Sequence, residues 1–101
     1  MIISEDVKKV LEGSAFLSIV TVDSNGTPHP IIVGKGEVSD DKVVFGIYKM
    51  EETRKNLETN SSAWVVGATK DGGPKGYRLA GTATTQDKQL IFTAASVEAL
   101  I

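Results

Sequence analysis

The sequence predicts a mainly β fold, a small six-stranded antiparallel barrel with two short helices. Short runs rich in β-branched and aromatic residues recur along the chain, and turn-forming residues separate them. One helical pattern precedes the first run, and a second stands between the third and fourth runs. This pattern alone does not distinguish a barrel from a β-sandwich. The length of 101 residues fits one domain, spanning 1–101.

The composition narrows the possible functions. The chain has no cysteine and one histidine, which argues against disulfides, thiolate nucleophiles, zinc–cysteine sites and histidine metal centres. The net charge is −2 and the basic residues are interleaved with acids, so we expect no nucleic-acid binding. No apolar run approaches the roughly 18–20 residues of a membrane span. We therefore expect a cytoplasmic protein that does not bind membranes.

The first helix is predicted to begin after Ser4 and to end at Gly13. The Ser4 hydroxyl can cap free backbone N–H groups, and Gly13 can end the helix in the left-handed conformation. One helical face is apolar and is expected to cover the sheet; its residues are Val7, Val10 and Leu11.

The first hairpin has the clearest signal in the chain. Ala15–Asp23 is a strand with apolar residues on both faces, so both faces should be covered. Asn25-Gly26 favours the positive φ angles of a tight turn. The return strand, His29–Val38, contains Pro30 and follows Pro28. Since proline cannot donate to a strand ladder, this strand should begin at a sheet edge or a bulge.

Two glycines interrupt the second half of that strand. Gly34 and Gly36 have i, i+2 spacing, which removes two side chains from one face. They favour a bend that wraps the sheet, or a close approach of a flat ligand to the backbone. The two interpretations are compatible.

Four further strands complete the predicted barrel. An apolar end to the chain, Leu100-Ile101, is expected to dock on the fold. The short segment Thr84–Gln89 leaves room only for a turn between the last two strands. The strands are Val43–Tyr48, Ser61–Thr69, Gly76–Ala83 and Gln89–Ala95.

The second helical pattern lies within Ile47–Asn60. Met50, Thr53 and Leu57 share one face, and Asn56 lies at its edge. A hydroxyl and an amide on an otherwise apolar face need hydrogen-bond partners. They could instead be ordinary surface or capping residues on a solvated helix.

The start of this helix suits an anion. Its first backbone N–H groups lack helical partners, and the helix dipole is positive there. Lys49, Arg54 and Lys55 add positive charge nearby. A phosphate group is the natural ligand for such a site.

Three segments carry a family resemblance that covers the chain from the first helix to the last strand. The order of elements and these segments resemble the FMN-binding split-barrel proteins related to pyridoxamine 5′-phosphate oxidase. The small flavin-binding proteins of that group are the most similar. The segments are Pro28–Gly36, the Met-x-x-Thr-x-x-Asn-Leu-x-x-Asn pattern of Met50–Asn60, and Gly76–Gly81.

The resemblance implies that FMN is the cofactor. It implies that Thr53 donates to the flavin phosphate and that backbone groups of Val33, Gly34 and Tyr48 contact the ring edge. The implied function is a flavin-binding redox protein, an oxidoreductase or an electron carrier, with an unknown substrate or redox partner. The implied cofactor-binding residues are Val33, Gly34, Lys35, Tyr48, Lys49, Met50, Thr53 and Lys55.

The resemblance also implies a homodimer with flavins at its interface. Two departures from the family pattern bear on the flavin. Glu52 stands where relatives often have a lysine, and a carboxylate there would repel a phosphate. The short segment Thr84–Gln89 also leaves no room for the helix that relatives tend to have between the last two strands. The alternative function is therefore a flavin-free homodimeric module that binds another protein or a small ligand. No catalytic residue is assigned, because His29 has the sequence context of an exposed strand edge.

Overall fold

The computed structural model describes residues 2–47 and 50–101, which form two helices and seven strands. The helices are α1 (Glu5–Gly13) and α2 (Glu51–Thr59). The strands are β1 (Leu17–Val22), β2 (Pro28–Val33), β3 (Glu37–Ser39), β4 (Lys42–Gly46), β5 (Ser62–Thr69), β6 (Lys75–Gln86) and β7 (Gln89–Ala99).

The strands form one sheet in the order β2-β1-β5-β6-β7-β4-β3. Every neighbouring pair is antiparallel, which confirms the predicted mainly β, antiparallel fold with two short helices. β2 and β3 are the two edge strands. The helix α2 connects β4 to β5, which are separated in the sheet by β6 and β7.

The sheet has seven strands rather than six because the predicted strand His29–Val38 is divided. β2 ends at Val33, and β3 begins at Glu37 on the opposite edge of the sheet. Gly36 lies in the connection, where a Cβ atom would come within 2.7 Å of Phe45 and Val43 side-chain atoms. Gly36 therefore permits a close crossing over β4. Gly34 has open space around it.

The β1–β2 turn depends on Asp23 and one glycine. The Asp23 carboxylate accepts hydrogen bonds from the backbone N–H groups of Asn25 and Thr27, at 2.8 and 2.9 Å. Gly26 has a φ of +81°, whereas Asn25 stays outside the left-handed region. The turn is thus tight, as predicted. It has one positive φ angle rather than two, because it is a type I turn followed by a left-handed glycine.

The predicted start of α1 is confirmed, and its predicted end is wrong in one respect. The backbone N–H of Val7 donates to the Ser4 hydroxyl at 3.3 Å. Gly13 is the last helical residue, but its φ is not positive. The chain leaves the helix through an extended Ser14, whose hydroxyl donates to the Val10 carbonyl at 2.6 Å. Because Ser14 satisfies a free carbonyl, a left-handed glycine is not needed there.

The hydrophobic core lies between the helices and the inner face of the sheet. In β1, Leu17, Ile19 and Thr21 point inward and are buried, while the alternate residues are only half-buried. The prediction that both faces of β1 are covered therefore holds for the inner face, while the outer face is only partly covered within this chain. The largest buried side chains of the core are Phe45, Phe92, Leu11, Leu17, Ile19, Leu79 and Leu90.

Among the described residues, neither helix has the length and apolar character needed to span a bilayer.

Candidate functional site

The start of α2 presents backbone donors. The first hydrogen bond of the helix between described residues joins the Arg54 N–H to the Met50 carbonyl at 2.9 Å, so the N–H groups of Glu51, Glu52 and Thr53 have no helical acceptor among the described residues. Met50 occupies the N-cap position and provides no side-chain cap. Glu51 and Glu52 follow in the first turn, where negative charge favours helix formation.

The buried face of α2 is held against β1 by a polar contact. Asn56 is 3% exposed, and its Nδ2 donates to Oγ1 of Thr21 at 3.0 Å. Thr21 is fully buried in β1. The predicted need for a partner at Asn56 is thus met inside the protein, and this contact fixes how α2 lies on the sheet.

Thr53 is different, because its hydroxyl has no partner in the part of the chain that the structure describes. The residue is 1% exposed, and its Oγ1 makes no hydrogen bond to the described residues. An unpaired buried hydroxyl costs about 1–3 kcal/mol. Such a group is explained most simply by an acceptor or donor supplied by a ligand.

Thr53 lines a cavity of about 450 Å³ between α2 and the edge strand β2. A second cavity, of about 200 Å³, shares Ile32, Val33 and Met50 with the first and adds Gly34 and Gly46. The two cavities together are called the α2–β2 groove here. Its remaining lining residues are His29, Ile31, Glu51 and Glu52.

The α2–β2 groove is apolar along β2 and acidic at the start of α2. Ile32 is 70% exposed beside it, which leaves an apolar surface at a sheet edge. Glu51 and Glu52 are exposed carboxylates at the other end. Among the described residues that line the groove, none is a lysine or an arginine.

The structure brings together four of the predicted cofactor-binding residues: Val33, Gly34, Met50 and Thr53 line the groove. Lys35 is exposed and lines neither cavity. Lys55 lies in a separate surface groove along α2, together with Arg54 and Glu58.

Two other predicted cofactor-binding residues, Tyr48 and Lys49, lie outside the described residues. Their roles stay predictions from the family resemblance.

The predicted cofactor-binding set omits six lining residues, which are His29, Ile31, Ile32, Gly46, Glu51 and Glu52. The signal for the first two was the period-two alternation of β2, which places His29, Ile31 and Val33 on one face. That face is turned toward α2, so an edge position does not remove His29 from the site. No sequence pattern indicated that Glu51 would lie beside it.

A second groove lies on the outer face of the sheet and is called the outer-sheet groove here. It has a volume of about 500 Å³. Trp64 lines it and lies between Val20 and Ala80 in the strand register. Arg78 stands at its edge and pairs with Glu98 across β6 and β7. The other lining residues are Val20, Val22, Gly26, Pro28 and Val66.

A curved antiparallel sheet with a helix inserted between β4 and β5 places this chain in the class of split-barrel proteins. The family described as pyridoxamine 5′-phosphate oxidase matches residues 3–99. The chain belongs to the pyridoxamine 5′-phosphate oxidase family, which confirms the resemblance seen in the sequence. A comparison with curated proteins finds no match.

Solved structures share this fold. Group A Streptococcus HupZ superposes with a TM-score of 0.83 and 18% identity, covering 97% of this chain and 94% of HupZ. An FMN-binding protein from Syntrophomonas wolfei has a TM-score of 0.78 and 14% identity, covering 93% of this chain and 83% of that one. An F420 reductase has a TM-score of 0.73 and 12% identity, covering 90% of this chain and 94% of that one. At these identities the similarity shows the fold alone.

Proposed function

We propose that this protein binds a flavin, FMN, in the α2–β2 groove, with the phosphate end of the flavin at the start of α2. One observation carries the proposal: within residues 2–47 and 50–101 the buried Thr53 hydroxyl has no partner, and Thr53 lines the groove beside the first N–H groups of α2. Hydroxyl and backbone donors at the positive end of a helix suit a phosphate. Membership of the family and the similar FMN-binding protein support it.

The other end of the groove suits the flat ring of a flavin. Val33 and Met50 provide apolar contact area, and Gly34 and Gly46 each have open space where a side chain would stand. A planar ligand can therefore approach the backbone closely at both glycines. Ring recognition would combine this packing with hydrogen bonds from the backbone of the edge strand β2.

The flavin, when bound, supplies hydride and electron transfer, and the chain supplies binding and orientation. We propose a redox function, as an FMN-dependent oxidoreductase or an electron carrier, and an F420 reductase with the same fold agrees with this class. A cytoplasmic location stays a prediction from the sequence.

We also propose that two copies of the chain associate through the outer-sheet groove. Its half-buried apolar residues, centred on Trp64, form an uncovered face on strands whose inner face is the core. The apolar chain end adds to the uncovered surface: the Leu100 N–H bonds to the Gly76 carbonyl, yet Leu100 and Ile101 are 44% and 74% exposed. Exposed apolar surface of this kind is typical of association sites.

One observation favours a second function, a flavin-free module with the same fold. Glu52 lines the groove next to Thr53, and a carboxylate there opposes a bound phosphate. In that case the groove would hold a ligand without a phosphate, or the surface would serve only for association.

Flavin titration of the purified protein distinguishes the two functions. We expect FMN fluorescence to be quenched on binding, and the protein–flavin complex to absorb between about 350 and 500 nm after removal of free flavin. No quenching and no absorption at micromolar protein would contradict the flavin proposal and favour the flavin-free module.

A further inference from the structure

The phosphate end of the α2–β2 groove carries opposing features. The free helix N–H groups and the buried Thr53 hydroxyl favour a negatively charged or hydroxyl-bearing ligand. Glu51 and Glu52 line the same cavity and bring two negative charges to it. An exposed carboxylate in the first turn stabilises the helix, so its presence serves folding while it opposes an anion in the groove.

Of the two acids, Glu51 lines two grooves and Glu52 lines one. Glu51 also lines the surface groove that contains Arg54 and Lys55, whose positive charges lie one helical turn away from it. Glu52 lines only the cavity beside Thr53. Its carboxylate therefore lies beside whatever occupies that cavity.

A hydroxyl partner for Thr53 does not require a charged ligand. The ribityl chain of a flavin carries several hydroxyl groups, each of which can both donate and accept a hydrogen bond. An uncharged hydroxyl satisfies the buried Thr53 Oγ1 and the free N–H groups without repulsion from Glu52. A phosphate ester is attracted by the positive end of the helix dipole and repelled by the Glu52 carboxylate.

We propose that the α2–β2 groove binds flavins with and without a phosphate ester with similar affinity, because Glu52 cancels the gain that the start of α2 gives to a phosphate. This proposal rests on the proposed flavin-binding function and names its ligand class. The groove is then a site for the isoalloxazine ring and its hydroxylated chain, with little selection at the phosphate position.

The test compares FMN with riboflavin, which lacks the phosphate, on wild type and Glu52→Gln. Titrations by flavin fluorescence are made at about 0.01 M ionic strength, where the screening length is about 30 Å. For wild type we expect the two dissociation constants to agree within about threefold. For Glu52→Gln we expect FMN to bind about fivefold to twentyfold more tightly, and riboflavin to change by less than about twofold.

Glu58→Gln is the matched control. It removes the same charge from the same helix, about 9 Å further along its axis, and Glu58 does not line the cavity. Both dissociation constants should stay within about twofold of wild type. An equal effect of Glu52→Gln and Glu58→Gln would show a general charge effect and would overturn the proposal.

Three other outcomes overturn it and differ from one another. Wild-type protein that binds FMN more than about thirtyfold more tightly than riboflavin would contradict the proposal while leaving flavin binding intact. Protein that binds neither flavin, in wild type or in any variant, would overturn the proposed function as well. An equal gain for FMN and riboflavin in Glu52→Gln would exclude a contact with the phosphate.

Discussion

Thr53 and Asn56 are two buried polar residues on one helical face, and the structure gives them different roles. Asn56 has its partner in Thr21, so its amide belongs to the packing of the fold. Thr53 has no such partner among the described residues, and it lines a cavity. A folded protein keeps an unpaired buried hydroxyl at a cost, and a functional role is one established reason for that cost.

Thr53→Val separates folding from binding. Valine has nearly the same shape and lacks the hydroxyl, so the ligand-free variant should be as stable as wild type, or more stable by up to about 1–3 kcal/mol. Flavin affinity should fall by about tenfold to hundredfold, because the variant loses one hydrogen bond to a charged or strongly accepting group. Urea unfolding gives the first quantity, and flavin titration gives the second.

Thr53→Ser is the control for this substitution because it keeps the hydroxyl and removes a methyl group. It should bind flavin within a few-fold of wild type. Thr53→Val that keeps full flavin affinity would show that the ligand does not contact this hydroxyl. A large loss of stability in Thr53→Val would show that the hydroxyl has a partner within the protein.

At the scale of elements, the position of α2 depends on its contact with β1. Asn56→Ala should lower the free energy of unfolding by about 1–3 kcal/mol, because it leaves the Thr21 hydroxyl buried without its donor. It should also weaken flavin binding, since the start of α2 is no longer held in place. Glu58→Ala, at an exposed position of the same helix, should change stability by less than about 0.5 kcal/mol.

A double-mutant cycle with Thr21→Val tests the contact itself. The unfolding free energy lost through Asn56→Ala should differ by at least about 0.5 kcal/mol between the Thr21→Val background and wild type. Such a difference is the signature of a direct interaction. Strict additivity would mean that the two side chains do not depend on each other.

The elements predicted best were those that local chemistry determines. The cap at Ser4, the turn at Gly26 and the short β6–β7 connection follow from residues close in sequence, and each is present. The division of His29–Val38 into β2 and β3 was missed because it depends on the contact of Gly36 with Phe45 and Val43, which are distant in sequence. A glycine pattern indicates a bend but does not show which strand the chain joins next.

The site was predicted in part for the same reason. Thr53 and Met50 lie on a helix with a clear period, and Val33 and Gly34 follow from the family resemblance. The prediction omitted lining residues, such as His29, that reach the site only because β2 is placed against α2. Lys55 was included for its charge alone, and the helix directs it to another surface groove.

For the whole molecule, the proposed association predicts a dimer. Light scattering at micromolar concentration should give twice the mass of 10.7 kDa. Val20→Lys places a charge in the outer-sheet groove beside Trp64, and it should yield a monomer that still folds, because Val20 points away from the core. Circular dichroism checks that the fold is retained.

Ile2→Lys is the control for the dimer prediction. Ile2 is 41% exposed and does not line the outer-sheet groove, so the same change of residue type should leave the mass unchanged. A monomer mass for wild type, or a dimer that survives Val20→Lys, would contradict association through this groove.

The central claim is that a flavin lies in the α2–β2 groove, and amide chemical-shift mapping of ¹⁵N-labelled protein tests it most directly. On addition of FMN, we expect the largest shifts at the backbone amides of Glu51, Glu52 and Thr53 at the start of α2, and of Val33 and Gly34 at the end of β2. Riboflavin should shift the β2 amides to a similar extent. Shifts confined to residues of the outer-sheet groove, such as Gly26 and Trp64, or no shifts with either flavin, would contradict the claim.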